Sequence, residues 1–352
     1  MRRMRRLDLN THRFLSPWGR RHAQRFTLQW HLTNACELRC AHCYDRSVQE
    51  PQSARDCLSV LADFRAFSAA NHFSPAVSLT GGNPLLHPGF WTIYRKIVRA
   101  RIPVSILGNP LTSDQLDRLL SMGKPSYYQV SLEGRKDVND AIRGAGHFDR
   151  TVEFLNIAKA SRMVTNIMVT VHAGNIADVI PMAEELAPFV GRITFNRLAQ
   201  VGQAVDLQIP SPVEYRRFLL DYLTAAKMNT ALGMKDNLFN IIRQDQRLPL
   251  FGGCTGNGCG AAKNFVALLP NGDVHACRKF PSPIGNLRDS TLHDVYHSET
   301  ARRYRQGPDA CGSCVIRTAC RGCMAVTAGH GGDPLTDRDP QCFADSRFRR
   351  DG

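Results

Sequence analysis

The sequence predicts an α/β protein: a partial, open (β/α)6 barrel followed by a small cysteine-rich α+β unit. Two observations carry that prediction. From about residue 25 to residue 200, short apolar runs alternate with helical patterns, and strands alternating with helices build parallel βα units. Six such units fall short of the eight that close a full barrel. In addition, eleven of the twelve cysteines fall into two separated groups, one just after the first strand and one near the C-terminus.

The elements follow in order. FTLQWHL (26–32) reads as the first strand, and a helix with Leu61, Phe64, Phe67 and Ser68 near helical spacing comes after it. AVSLT (76–80) is the second strand and ends at Gly81-Gly82, while PVSIL (103–107) is the third. A helix from about Ser113 carries Leu116, Leu119 and Leu120, and YYQVSL (127–132), MVTNIMVTV (163–171) and RITFNRL (192–198) complete the set of six strands. Ser211-Pro212-Val213-Glu214 gives a capping box with proline in the first turn. Tyr215, Phe218, Leu219, Tyr222, Leu223 and Ala226 then form a stripe that packs on the barrel. The barrel thus spans 26–228, and residues 229–253 bridge into the cysteine-rich unit, 254–345. Within that unit NFVALLPNGDVHAC (264–277) reads as a hairpin turning at Asn271-Gly272. A short tail, 346–352, closes the chain.

Composition narrows the class. No stretch approaches ~18 uninterrupted apolar residues, and the N-terminus lacks the apolar core of a secretory signal. The expected compartment is the reducing cytoplasm, where closely spaced cysteines bind metal in preference to forming disulfides. The formal charge of +14 invites a nucleic-acid reading. Against it, the charge is spread along the chain apart from MRRMRR and RFRR, and three anionic clusters would offset roughly five units. An acidic partner such as a peptide leader is the functional alternative to a plain solvated surface. Residues 1–25 hold eight arginines and one acid, Asp8, and read as a basic arm: a tail, a transit segment or a substrate contact.

The cysteines carry the chemistry. Cys36, Cys40 and Cys43 stand in CELRCAHC, with three residues and then two between them. A cubane cluster takes four thiolates, so a trio leaves one iron open. Zinc is the competitor, with His42 at hand as a fourth ligand. The other eight are Cys254, Cys259, Cys277, Cys311, Cys314, Cys320, Cys323 and Cys342, enough to close two clusters or, in the competing reading, two zinc sites. Cys57 lies one turn before Leu61 and reads as a buried small hydrophobe. His87, His172 and His330 have no partner spacing, and spacing alone identifies no catalytic base.

The run CELRCAHC resembles the signature of the radical S-adenosylmethionine (radical SAM) superfamily, with His42 in the position just before the third cysteine. Gly81-Gly82-Asn83-Pro84 resembles the glycine-rich motif that holds the methionine amine of SAM, although many members have Glu where Asn83 stands. Gly108-Asn109-Pro110 and Ser131-Leu132-Glu133-Gly134 resemble positions lining the SAM site at the C-terminal ends of the strands. Arg143, in AIRGAG, resembles the arginine that pairs with the SAM carboxylate. The resemblance therefore implies a TIM-like partial barrel with His42, Gly81, Gly82, Asn83, Pro84, Asn109, Ser131, Glu133 and Arg143 at the cofactor.

The octet resembles the SPASM extension of these enzymes, which holds two auxiliary [4Fe–4S] clusters. By that pattern Cys254, Cys259, Cys277 and Cys323 take the first, and Cys311, Cys314, Cys320 and Cys342 the second. The usual pattern has three residues between the counterparts of Cys320 and Cys323; here there are two, and a local loop adjustment is expected.

The resemblance extends from about Phe26 to Cys342 and implies three [4Fe–4S] clusters, SAM, and an electron donor such as flavodoxin or ferredoxin. It implies reductive cleavage of SAM to a 5′-deoxyadenosyl radical, hydrogen abstraction from substrate, and net oxidation with the closed clusters taking an electron or holding structure. The runs GGNPLLHP, ILGNP and CRGCMAV look most like maturases that form a thioether, a carbon–carbon crosslink or a heterocycle on a ribosomally made peptide, the selenobiotic type among them. Sulfatase-maturase-like oxidation of a Cys or Ser is the alternative enzyme, and an iron–sulfur electron carrier or a zinc-dependent nucleic-acid module the alternative class. Only about 25 residues precede the first strand, short of a fused domain, so a separate leader-binding protein or the chain's own surface is expected to recognise a leader.

Overall fold

A computed structural model describes residues 25–256 and 258–349. The basic arm up to residue 24, and with it MRRMRR, lies outside the described residues, as does the end of the tail. Six parallel strands run side by side in chain order: β1 (Arg25–Thr33), β2 (Ser74–Gly81), β3 (Val104–Leu107), β4 (Tyr127–Ser131), β5 (Thr165–Val171) and β6 (Arg192–Arg197). Helices α1 (Ala54–Ala70), α2 (Phe90–Arg99), α3 (Ser113–Met122), α4 (Lys136–Arg143), α5 (His147–Ala160) and α6 (Val179–Leu186) connect them. All six strands lie where their apolar runs place them. The capping box of α7 (Pro212–Met228) is formed: the Ser211 hydroxyl accepts from the Glu214 N–H at 3.3 Å and the Glu214 carboxylate accepts from the Ser211 N–H at 2.9 Å. Such a cap contributes about 1 kcal/mol.

Alternation along β1 sets what the barrel encloses. Phe26, Leu28, Trp30 and Leu32 are buried in the apolar core. Period two turns the residues between them, among them Gln29, His31 and Thr33, to the barrel interior. Thr80, Gln129, Ser131, Thr170 and Asn196 from the other strands join them there. A parallel sheet buried on both faces is usually apolar on both. Here the inner set is polar, so the barrel holds a cavity in place of packed side chains.

The sheet does not stop at β6 and β1. β7 (Phe265–Leu268) pairs in parallel with β1, from Thr27 opposite Phe265 to Trp30 opposite Leu268. β8 (Asp273–His275) and β9 (Pro283–Asn286) continue it antiparallel, with the expected turn at Asn271-Gly272 between β7 and β8. Among the described residues the order is β6-β5-β4-β3-β2-β1-β7-β8-β9. The cysteine-rich unit is therefore not simply appended after the barrel; its hairpin completes the barrel sheet. An open barrel leaves β1 an unpaired edge, and β7 covers it. The bridging segment does the same on a small scale at the far side, where Ile193 N–H donates to Ala231 at 2.7 Å and Gly233 N–H to Ile193 at 2.8 Å. That segment is packed as well: α8 (Phe239–Asp245) buries Phe239, Ile241 and Ile242.

Two further contacts lock the units together. Tyr296, on α9 (Leu292–His297), packs its ring among Phe26, Phe67 and Phe73 at centroid distances of 5.5, 5.2 and 6.0 Å. Arg197, at the end of β6, is buried and donates to Asp236 at 2.8 Å, to Asp339 at 2.8 and 2.7 Å, and to Gln341 at 3.2 Å. Burial alone would lower its pKa, but Asp236 and Asp339 outweigh that and hold the guanidinium charged. Asp339 in turn accepts from the Cys323 N–H at 2.8 Å. Arg197→Met leaves two carboxylates buried without their cation and is expected to cost about 3–5 kcal/mol in chemical denaturation. A cost below about 1 kcal/mol, the range of surface pairs, would show that the clamp does not hold the halves together.

Candidate active site

After Thr33 the chain crosses the mouth of the barrel as a loop without helix or strand up to residue 53. Backbone bonds fix it on three sides: Asn83 N–H donates to Ala35 at 2.8 Å, Ala41 N–H to Ile142 at 2.8 Å, and Gln203 N–H to Cys43 at 2.9 Å. The loop lies so close to the end of β2 that a Cβ on Gly82 would stand 2.3 Å from the Ala35 carbonyl oxygen. Glycine there is a condition for the loop's position.

Cys36, Cys40 and Cys43 all face a cavity of about 850 Å³, together with His42, Gly81, Gly82, Asn109, Ser131 and Arg143. Two N–H donors point at sulfur: the Asn109 amide at Cys36, 3.5 Å away, and the Arg143 guanidinium at Cys40, 3.6 Å away. Burial raises the Cys40 pKa and Arg143 opposes the rise. Among the described residues no three His, Cys, Asp or Glu side chains converge on a single-ion position. The thiols are spread around a space.

Three residues expected at the cofactor stand behind the cavity wall. Glu133 is fully buried and accepts from Arg143 Nε at 2.8 Å, from Arg143 Nη2 at 2.5 Å and from the Thr170 N–H at 2.7 Å, with His42 Nε2 3.2 Å away. Burial would raise its pKa, but Arg143, His42 and the Thr170 N–H more than offset that and hold it ionised. Glu133 thus orients Arg143 and His42 and does not itself line the cavity. Asn83 caps the short turn Pro84–Leu86, taking Pro84 with it, and its side-chain amide donates to both oxygens of Glu37 at 2.9 and 3.2 Å. Glu37, which the sequence did not single out, lines the cavity in its stead.

His31 is the other residue that sequence reasoning passed over. It is buried on the inner face of β1, lines the cavity, and its Nε2 has no hydrogen-bond partner. Its signal was available: Thr27, Gln29, His31 and Thr33 alternate with the apolar residues of one strand. His87 has a structural role: its Nε2 meets the Gln52 carbonyl at 2.9 Å while Nδ1 accepts from Gly89 N–H at 2.9 Å. Cys57 is buried in the core.

The octet falls into two groups. Cys254, Cys259, Cys277 and Cys323 line a second cavity of about 310 Å³. Burial, with Cys323 and Cys254 contributing, pushes the Cys259 thiol up to about 12 and Cys277 up to about 11. Burial pushes Cys311 up to about 11, with Cys342 and Cys314 adding to it, and Cys342 likewise acts on Cys320. The shortened spacing between Cys320 and Cys323 is taken up by two consecutive left-handed residues, Arg321 at φ 64° and Gly322 at φ 60°. The Arg321 guanidinium fixes that turn by donating to the Arg305 and Cys259 carbonyls, both at 2.6 Å.

Comparison with known proteins follows the same division. Residues 30–186 match the family model of the radical SAM superfamily, and residues 259–324 match that of the SPASM iron–sulfur cluster-binding domain. The chain is 30% identical over 335 residues to the mycofactocin maturase MftC of Mycobacterium tuberculosis, covering 90% of this chain and 82% of that protein. It is 25% identical to an AdoMet-dependent heme synthase of Methanosarcina barkeri, covering 90% of this chain and 95% of that one. Among solved structures, Streptococcus suis SuiB bound to the precursor peptide SuiA has the same fold, with a TM-score of 0.71 at 17% identity over 96% of this chain and 78% of SuiB.

Gly82→Ala is expected to push the cysteine loop off the end of β2 at a cost of about 1–3 kcal/mol. Hydrogen exchange checks it: amides 34–43 gain exchange while those of β7 to β9 do not. Equal exchange in both variants would mean that the loop does not depend on that close approach.

Proposed function

This chain belongs to the radical SAM superfamily and carries a SPASM domain, and from that premise we propose that it oxidises a ribosomally made peptide. It is an enzyme whose cofactors are [4Fe–4S] clusters and SAM. The observation that carries the peptide reading is a three-cysteine loop opening on a polar cavity that abuts a second, four-cysteine cavity. The names of two similar proteins support it: MftC is a maturase, and SuiB is bound to a precursor peptide.

The donor set fits the cofactors. Cys36, Cys40 and Cys43 would hold the SAM-binding cluster, and a cavity of about 850 Å³ leaves room for SAM and part of a substrate beside it. When bound, the two supply one-electron cleavage of the sulfonium and hydrogen-atom abstraction from the substrate. The chain's residues orient and shield that chemistry. Asn109 and Arg143 donate to the sulfurs of Cys36 and Cys40, which would hold the cluster, and such hydrogen bonds are a lever on its potential. Glu133 holds Arg143 so that the guanidinium still lines the cavity and can meet a carboxylate. Gly81 and Gly82 keep backbone at the wall, Ser131 and His42 add polar contacts, and Glu37, held by Asn83, would offer the negative charge toward an ammonium. Pro84 starts the turn that Asn83 caps.

Cys254, Cys259, Cys277 and Cys323 would hold one auxiliary cluster, and Cys311, Cys314, Cys320 and Cys342 the other. When bound, these clusters would supply an electron acceptor, which fits the net oxidation proposed here. The finer partners are an electron donor such as flavodoxin or ferredoxin, drawn to the basic chain, and a separate leader-binding protein.

Anaerobically purified protein is expected to carry about twelve irons, three cubanes of four. Replacing Cys36, Cys40 and Cys43 together by Ala lowers that to about eight and abolishes 5′-deoxyadenosine formation. Mass spectrometry of a candidate precursor peptide co-expressed with the enzyme is expected to show loss of two hydrogens. An unmodified precursor, with 5′-deoxyadenosine still formed, would contradict the peptide reading. Glu37→Gln removes the proposed charge and is expected to raise the SAM dissociation constant roughly tenfold, read by equilibrium dialysis on the holoenzyme.

A further inference from the structure

The cavity holds two kinds of charged side chain, and they are treated differently. Its carboxylates keep their charge but each accepts two hydrogen bonds that fix it: Glu37 from the Asn83 amide at 2.9 and 3.2 Å, and Asp45 from the Ser47 N–H at 2.8 Å and the Asn34 amide at 3.2 Å. Arg278, which reaches in from the turn after β8, is not matched in the same way. Its Nη1 donates to the Thr80 hydroxyl at 3.3 Å, and among the described residues it makes no salt bridge. A cation facing a part-buried cavity with a single neutral partner retains most of its capacity for an anion.

The adjacent auxiliary cysteines do not account for it. The cation that acts on Cys277 is Lys279, which also donates to the Arg197 carbonyl at 3.0 Å. Arg278 acts on His31 and Tyr44 across the cavity, and on Lys235 beside the second one. His31 supplies an independent observation: it is almost wholly buried and lines the same cavity, and its Nε2 lacks a partner. Burial, then Arg278 and His275, press its pKa down to about 3, so the ring is neutral and can donate one hydrogen bond from Nε2. A buried nitrogen without a partner carries a desolvation cost that a bound polar group would relieve.

We propose that Arg278, Thr80 and His31 form a subsite for a carboxylate of the substrate. The guanidinium would take both oxygens, with Thr80 holding it in place and His31 donating to one of them. On the peptide reading, on which this rests, the carboxylate is either the free C-terminus or an Asp or Glu side chain.

Binding to the SAM-loaded holoenzyme, followed by ligand-observed NMR, tests the subsite with four probes. These are acetylated pentaalanine with a free C-terminus, its C-terminal amide, the amide with a central glutamate, and glutarate. The free acid binding better than the amide assigns the C-terminus; the glutamate amide binding better assigns a side chain. In either case Arg278→Gln is expected to weaken the preferred probe roughly tenfold or more, with the SAM dissociation constant unchanged. Glutarate binding that depends on Arg278, without binding of any peptide, upholds the subsite and overturns the peptide reading. Peptides that bind alike with and without a carboxylate uphold the peptide reading and overturn the subsite. Failure of all four probes overturns the subsite. Because Arg278 follows Cys277, iron content is measured in parallel. If iron falls in Arg278→Gln, Thr80→Val and His31→Gln, neither adjacent in sequence to a cysteine, take its place with their iron content measured likewise, and unchanged carboxylate binding in both overturns the proposal.

Discussion

A buried guanidinium ties this molecule together. Arg197 ends β6, yet its partners come from the bridging segment, Asp236, and from the C-terminal loop, Asp339 and Gln341. Tyr215 of α7 lies against its other side, 5.4 Å from ring centroid to guanidinium carbon. Gln341 continues the network to the Pro210 carbonyl at 2.9 Å, just ahead of α7. Asp339 extends it to the Cys323 backbone, and Cys342 lies three residues further on. One side chain therefore sets the barrel edge against residues of both cysteine quartets. A charge so placed contributes to the fold only while every partner is present, because removing one leaves the others desolvated.

The same logic governs the cysteine loop. A polar inner face cannot be packed like an apolar core, so its groups must be satisfied by one another or by something bound. Glu133 shows the first solution, with Arg143, His42 and the Thr170 N–H around one carboxylate. His31 and Arg278 show the second. Around Glu133 the fold spends its internal hydrogen bonds on holding Arg143 and His42 in place, while toward the hairpin Arg278 and His31 Nε2 keep hydrogen-bonding capacity. On the proposal made above, that is where a substrate carboxylate would be met.

How much of this was legible in the sequence depends on whether a feature is local. The six strands, the α7 cap and the hairpin turn each rest on a short run, and each is found where that run stands. The continuation of the sheet from β1 to β7 is not local, since Trp30 and its partner Leu268 stand 238 positions apart and no periodicity links them. The role of Glu133 was hidden for a related reason. Motif position brings it to the end of β4, but only the neighbouring strand's Thr170 N–H and the incoming Arg143 show that it faces away from the cavity. Asn83 and Glu37 are a pair 46 residues apart, and neither residue alone announces the other. The shortened gap between Cys320 and Cys323 was legible as a departure, while its accommodation needed the left-handed backbone at Arg321 and Gly322.

The two cavities share a wall, and its composition explains why the clamp matters for chemistry as well as for folding. Asn196, Arg197, Arg278 and Lys279 line both spaces, the three-cysteine cavity and that of the first quartet. Arg197 is fixed by its carboxylates, and it fixes Lys279 through its own carbonyl oxygen. Arg278 is held from the barrel side by Thr80. The layer is thus set by bonds to both halves, and a shift of one half against the other would open or offset it. A substrate seated against it would lie next to the group that starts the reaction and the group assigned to receive the electron. Rigid attachment of the cysteine-rich unit, by a shared sheet, an aromatic cluster and a buried ion network together, is what such a short crossing requires.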